Sequence, residues 1–179
     1  MFGGEPLMSI EVVTNLIDLF AEKEMNETQK QTILQSMKLN ATNGTLIEKN
    51  LDIIKKYQLK LQISIDGPKH VNDINRVYSN GESSFDEVIS AIDLCEKEKL
   101  DWSLHGAISV AGFSSLYDIF RFYFDTYAKY KGIDFSSGVI GNNIFQINFE
   151  DNYTDDDIDI LLNQFHKVCE WIFTTNEYQ

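Results

Sequence analysis

Residues 59–68 read Leu-Lys-Leu-Gln-Ile-Ser-Ile-Asp-Gly-Pro. Leu59, Leu61, Ile63 and Ile65 alternate with Lys60, Gln62 and Ser64, the period-2 pattern of a strand, and Asp66-Gly67-Pro68 closes it with turn chemistry. Working toward the N-terminus, Thr45 with Glu48 three residues on forms a capping box, and Ile47, Leu51 and Ile54 continue it as a helix. Thr42-Asn43-Gly44 is a turn before that helix, and 33–41 reads as a strand leading into it. Still earlier, Ile10, Val13, Ile17 and Phe20 share one helical face over 9–25, with Ser9 as the expected N-cap. Working toward the C-terminus, 66–83 reads as a long polar loop, after which Ser84 and Glu87 open a helix with Val88, Ile92 and Cys95 on its buried stripe. Trp102, Leu104, Ile108 and Val110 mark a further strand, a helix begins near Ser115, and 144–149 is the best remaining strand. Thr154 and Asp157 then cap a final amphipathic helix built on Ile158, Leu161, Leu162, Phe165, Val168 and Ile172. This alternation of helix and strand, without internal repeats, implies an α/β fold with a parallel sheet and right-handed crossovers.

The 179 residues fit one domain, 1–179, and 43% hydrophobic content is enough for a core. A formal charge of −13 disfavours nucleic acid as a partner, because a polyanion would be repelled. No stretch is apolar and long enough to span a membrane, and the first residues lack the pattern of a signal peptide. Two cysteines, Cys95 and Cys169, make neither a disulfide framework nor a metal pair, and they fit a reducing, cytoplasmic setting as buried structural thiols. His70, His105 and His166 are not spaced as metal ligands, and Asp155-Asp156-Asp157 lacks the glycine and distal Glu of a calcium loop, so no metal site is expected from these residues.

In parallel α/β folds, ligands bind at the loops leaving the C-terminal ends of strands. Three loops of that kind stand out: Gly3-Gly4-Glu5-Pro6, Thr42-Asn43-Gly44, and Ser64 to Pro68 with Arg76 beyond it. Paired glycines expose backbone carbonyls that, with Glu5, suit an ammonium group. Ser64 and Arg76 suit a carboxylate, Arg through a charge-assisted fork. Together they suit an amino acid, although each motif taken singly is ordinary turn chemistry. The first of these loops has no strand before it, as a β/α unit would have, which implies that something upstream is missing.

The order Gly-Gly-Glu-Pro, then Thr-Asn-Gly-Thr-Leu, then Ile-Ser-Ile-Asp-Gly-Pro-Lys with Arg76, resembles the radical S-adenosylmethionine superfamily. Its peptide- and protein-modifying members, such as the anaerobic sulfatase-maturating enzymes, are the particular likeness. The resemblance implies a partial (β/α)6 barrel lacking its first strands. It also implies that S-adenosylmethionine bound to a four-iron four-sulfur cluster yields a 5′-deoxyadenosyl radical, which abstracts a hydrogen from a peptide or protein substrate. Gly3, Gly4 and Glu5 match the motif that receives the methionine amino group, and Ser64 and Arg76 match the pair at its carboxylate. The sequence departs from the family in lacking Cys-x3-Cys-x2-Cys, whose thiolates hold the cluster, and in lacking a cysteine-rich C-terminal extension for auxiliary clusters. It also has Asn72 where relatives commonly have His. The expectation is therefore a cofactor-binding core that is inactive as an isolated chain. The alternative is a non-catalytic module or remnant that engages a peptide or partner chain, with exposed strand edges available for pairing.

Overall fold

The computed structural model describes residues 4–23, 26–131, 145–147 and 153–174. They divide into two compact units, Met1–Ser64 with Asp86–Leu104, and Ile65–Phe85 with His105–Gln179. The expected α/β class with parallel strand pairing is observed.

In the first unit a short 3-10 turn, Pro6–Ser9, runs into helix α1, Ile10–Ala21, which buries Ile10, Val13, Thr14 and Ile17 on one face. Ser9 makes no side-chain cap. The carboxylate of Glu5 instead accepts from Leu7 N–H at the start of the turn, where unpaired amides favour a negative group. Helix α2, Glu27–Lys38, occupies most of the stretch expected as a strand, and strand β1 is confined to Leu39–Thr42. Asn26 explains the difference: its side chain accepts from Gln29 N–H at 2.9 Å, a helix N-cap.

Helix α3, Leu51–Tyr57, ends at Gln58, whose φ of 51° reverses the chain into strand β2, Lys60–Ser64. β1 and β2 pair in parallel with Thr42 opposite Ile63. The buried side chains of β2, Leu61 and Ile63, join Ile47, Ile54, Leu59, Val88 and Ile92 in this unit's core. Val88 and Ile92 lie on helix α5, Phe85–Lys97.

In the second unit the expected polar loop contains helix α4, Lys69–Asn75. Pro68, at φ −62°, supplies the carbonyl that accepts from Val71 N–H and Asn72 N–H, both at 2.9 Å. After Arg76 the chain folds back through an antiparallel bridge between Val77 and Ser83. Strand β3, Asp101–Ile108, pairs in parallel through Gly106, Ala107 and Ile108 with β4, Phe145–Ile147; the flanks of the expected strand at 144 and 148–149 lie outside the described residues. Helix α6, Leu116–Lys131, packs against α7, Asp155–Thr174. Trp171 anchors that contact, 5.3 Å from the Phe124 ring and with the Arg121 guanidinium 4.8 Å over its face.

The Thr154–Asp157 capping box forms as expected, with Asp157 Oδ2 accepting from Thr154 N–H at 2.8 Å and from its hydroxyl at 2.7 Å. Cys95 is buried as anticipated, whereas Cys169 faces outward on α7, because the packed face of that helix runs through Leu161, Val168 and Trp171. Among the described residues no helix is long and apolar enough to cross a membrane.

Candidate functional site

Two side-chain clusters hold the loops singled out in the sequence. The first lies within the first unit. Gly4 adopts φ +64° and has open space where a Cβ would stand, so its backbone is exposed. Gly3 lies outside the described residues. Glu5 Oε1 accepts from Leu7 N–H at 3.0 Å and from the Thr42 hydroxyl at 2.9 Å, and Oε2 accepts from Asn43 N–H at 2.8 Å. Thr42 Oγ1 in turn accepts from Gly44 N–H at 3.0 Å.

One carboxylate therefore ties the opening loop to the end of β1. Each such charge-assisted bond contributes roughly 1.5–3 kcal/mol. Gly44, at φ +85°, lies 3.5 Å from both Ile63 and Ala91 at the position a Cβ would take, so it seals the core below. Thr45 donates through both its amide and its hydroxyl to Asn43 Oδ1, which holds the turn closed. The groove that passes Gly44 and Thr45 has a volume of about 650 Å³ and is lined by Glu48, Asp86, Glu87 and Asp93, not by Glu5 or Ser64.

Ser64, the last residue of β2, is half-buried in the first unit. Arg76 belongs to the second unit, where it ends α4. Around it stands the second cluster. Asp66 is only 2% exposed, and its Oδ2 lies 2.8 Å from Arg76 Nε. Its Oδ1 accepts from Ala107 N–H at 2.8 Å, and its own N–H donates to Asn72 Oδ1 at 3.1 Å. Ile65 N–H donates to His105 O at 2.9 Å, and the Tyr123 hydroxyl donates to Ile65 O. Gly67, at φ +140°, packs where a Cβ would come within 3.0 Å of Ile119 Cγ1. The Asp-Gly-Pro stretch that reads as punctuation is thus a buried acidic anchor. Its sequence signal is an acid placed directly after an apolar strand residue and before a glycine.

His70 and His166 are exposed, His166 lying 3.3 Å from Glu170, and His105 contributes its main-chain carbonyl to Ile65. No group of three His, Cys, Asp or Glu suited to a metal ion occurs among the described residues. Cys95 sits buried on α5 and Cys169 exposed on α7, and these are the sequence's two cysteines. The residues present therefore do not fit a three-thiolate iron–sulfur centre.

No family model matches the sequence. The chain is 28% identical over 104 residues to a cysteine-type anaerobic sulfatase-maturating enzyme of Clostridium perfringens strain 13, a match covering 57% of this chain and 26% of that protein. The same enzyme from a second Clostridium perfringens strain is 29% identical over 104 residues. The aligned region is thus about a quarter of the length of those curated relatives. Among solved structures, polyhistidine-tagged anSMEcpe with bound AdoMet superposes with a TM-score of 0.63 at 21% identity, covering 99% of this chain and 45% of that one. Native anSMEcpe with bound AdoMet and Cp18Cys peptide gives 0.62, covering 99% of this chain and 48% of that one. Over 104 residues the chain is thus similar in sequence to anaerobic sulfatase-maturating enzymes, and its fold is similar to that of anSMEcpe.

Proposed function

We propose that this chain is the S-adenosylmethionine-binding core of a peptide- or protein-modifying radical S-adenosylmethionine enzyme, a single domain over 1–179 built as part of a (β/α)6 barrel. On this reading Gly3, together with the exposed backbone of Gly4 and with Glu5, receives the ammonium group of the methionine moiety. Ser64 and Arg76 receive its carboxylate, and a peptide segment is the substrate. The observation that carries the reading is the sequence match over 104 residues to sulfatase-maturating enzymes. The bracing of Gly4-Glu5 by Thr42 and Asn43 supports it, since it fixes a loop whose backbone faces open space.

Hydrogen abstraction in such enzymes is carried by the cofactor and its cluster. Two cysteines do not supply three thiolates, so the role assigned to the chain by itself is cofactor binding without turnover. The same shortage of ligands favours the second reading, a non-catalytic module or remnant that engages a peptide or partner chain.

Calorimetric titration of S-adenosylmethionine into the purified chain tests the first reading. The expected result is saturable one-site binding, weakened about tenfold, or 1.4 kcal/mol, by Ser64→Ala and by Arg76→Ala. Absence of heat with the wild-type chain overturns the first reading and leaves the binding module.

A further inference from the structure

Asn72 and Asp66 together hold Arg76 from both ends. Asn72 is fully buried; its Oδ1 accepts from Asp66 N–H at 3.1 Å, and its main-chain carbonyl accepts from Arg76 N–H at 2.9 Å. The Arg76 carbonyl accepts from the Ser84 hydroxyl at 3.0 Å, so the backbone that carries the guanidinium is fixed on both sides. At the far end of the side chain, the buried Asp66 carboxylate stands 2.8 Å from Nε. That contact is Coulombic, because the Nε–H makes no aligned hydrogen bond with it.

A guanidinium presents two donor edges, one formed by Nε with a terminal nitrogen and one by the two Nη. Asp66 draws the group by the Nε side. Among the described residues the guanidinium of Arg76 has Asp66 as its ion-pair partner and makes no other side-chain contact of that kind, and the side chain is 29% exposed. The end-on edge is therefore left to an incoming oxyanion.

We infer that Asp66, set in place by Asn72, is a positioning residue that aims the Nη edge of Arg76 at the carboxylate of the amino-acid ligand. The inference rests on the functional reading above and adds to it the group that orients the arginine. It also has a sign that a competing role lacks. If Asp66 merely neutralised Arg76, removing its charge would strengthen anion binding; if it aims Arg76, removing its charge weakens that binding.

Asp66→Asn tests this, because the amide oxygen still accepts from Ala107 N–H while its NH2 group turns a donor toward Nε. S-adenosylmethionine and its decarboxylated analogue are titrated into the wild-type chain, Asp66→Asn, Arg76→Ala and the double variant. The expected outcome is that Asp66→Asn weakens S-adenosylmethionine about tenfold, leaves the decarboxylated analogue unchanged, and adds nothing on the Arg76→Ala background. Equal or tighter binding of S-adenosylmethionine by Asp66→Asn, with the wild-type chain binding normally, overturns the positioning role alone. Failure of the wild-type chain to bind either compound overturns both the functional reading and this inference.

Should Asp66→Asn not fold, the wild-type chain labelled with nitrogen-15 arginine gives an independent reading. S-adenosylmethionine is expected to shift the Arg76 Nη signals where the decarboxylated analogue does not. Unmoved Nη signals on saturation overturn the inference.

Discussion

Replacing Gly106 with alanine tests whether the frame beneath Asp66 is as tightly packed as its contacts imply. A Cβ on residue 106 would lie 2.6 Å from Ile65 O and 3.2 Å from Asp66 Cα, and it would overlap Tyr123 Oη. The first two obstacles are backbone and the third is the head of a tyrosine only 3% exposed, so none of them yields without repacking. Overpacking of this kind costs about 1–3 kcal/mol. Pushing the tyrosine aside also breaks its bond to Ile65 O and leaves a buried carbonyl unpaired, about 1–3 kcal/mol more.

The sum, roughly 2–6 kcal/mol, corresponds to a fall in Tm of at least about 4 °C for a chain of this length. Differential scanning calorimetry reads it directly. The double variant Gly106→Ala/Tyr123→Phe supplies the internal check. Removing the hydroxyl clears one obstacle and leaves the 2.6 Å contact with Ile65 O, so the double variant should be more stable than the two single losses added together by at least about 1 kcal/mol. A Gly106→Ala protein melting within about 1 °C of wild type, or strictly additive losses, would refute the packing argument.

Glu5→Gln should destabilise the first unit by about 1–3 kcal/mol in urea titration, because an amide retains one acceptor where Leu7, Thr42 and Asn43 require two oxygens; an unchanged midpoint would show that the loop is held by something else. Asp157 is held below its ordinary value of 3.8 by the hydroxyl and then the main-chain N–H of Thr154, so its contribution is complete above that value and is lost as the pH falls through the lowered one. The stability difference between wild type and Asp157→Asn should therefore be present at neutral pH and shrink in strong acid, and a difference that grows on acidification would contradict the capping geometry. Under native conditions one thiol, Cys169, should react promptly with a disulfide reagent and Cys95 only on unfolding; two prompt thiols would mean that the core around α5 opens readily.

On α1 and around β2 the apolar periodicities were legible because burial follows them, whereas on α7 Leu162, expected on the apolar stripe, is 60% exposed. Ile10, Val13 and Ile17 on α1, and Leu59, Leu61, Ile63 and Ile65 along and around β2, are all buried as their spacing implies. Residues 33–41 misled for a local reason: Ile33 and Leu34, inside α2, form an apolar pair that reads as the start of the strand, while the cap that decides the matter, Asn26 with Gln29 three residues on, stands well upstream. Helix α4 was hidden because it is only Lys69–Asn75 and has Val71 and Asn72 as its buried residues, too few for an apolar stripe. Its one signal is Pro68, which is set for a helix start. At the candidate site, Glu5 and Arg76 could be picked out by residue type, but their partners could not. Thr42 and Asn43 are far from Glu5 in sequence, and most of what the two acids hold is main-chain N–H, which no side-chain pattern reveals.

A strongly acidic composition reads first as a solvated surface, yet two of these acids are turned inward to separate tasks. Glu5 uses both carboxylate oxygens as acceptors, one for Leu7 N–H and the Thr42 hydroxyl and the other for Asn43 N–H, so what it must retain is a pair of acceptors. Asp66 uses one oxygen as an acceptor, for Ala107 N–H, and spends the other as a charge beside Arg76. The same chemical change therefore separates them. Acid to amide at Glu5 places a donor against a donor and is read in the stability of the loop. At Asp66 it preserves the main-chain bond, removes the charge, and is read in the affinity for a carboxylate.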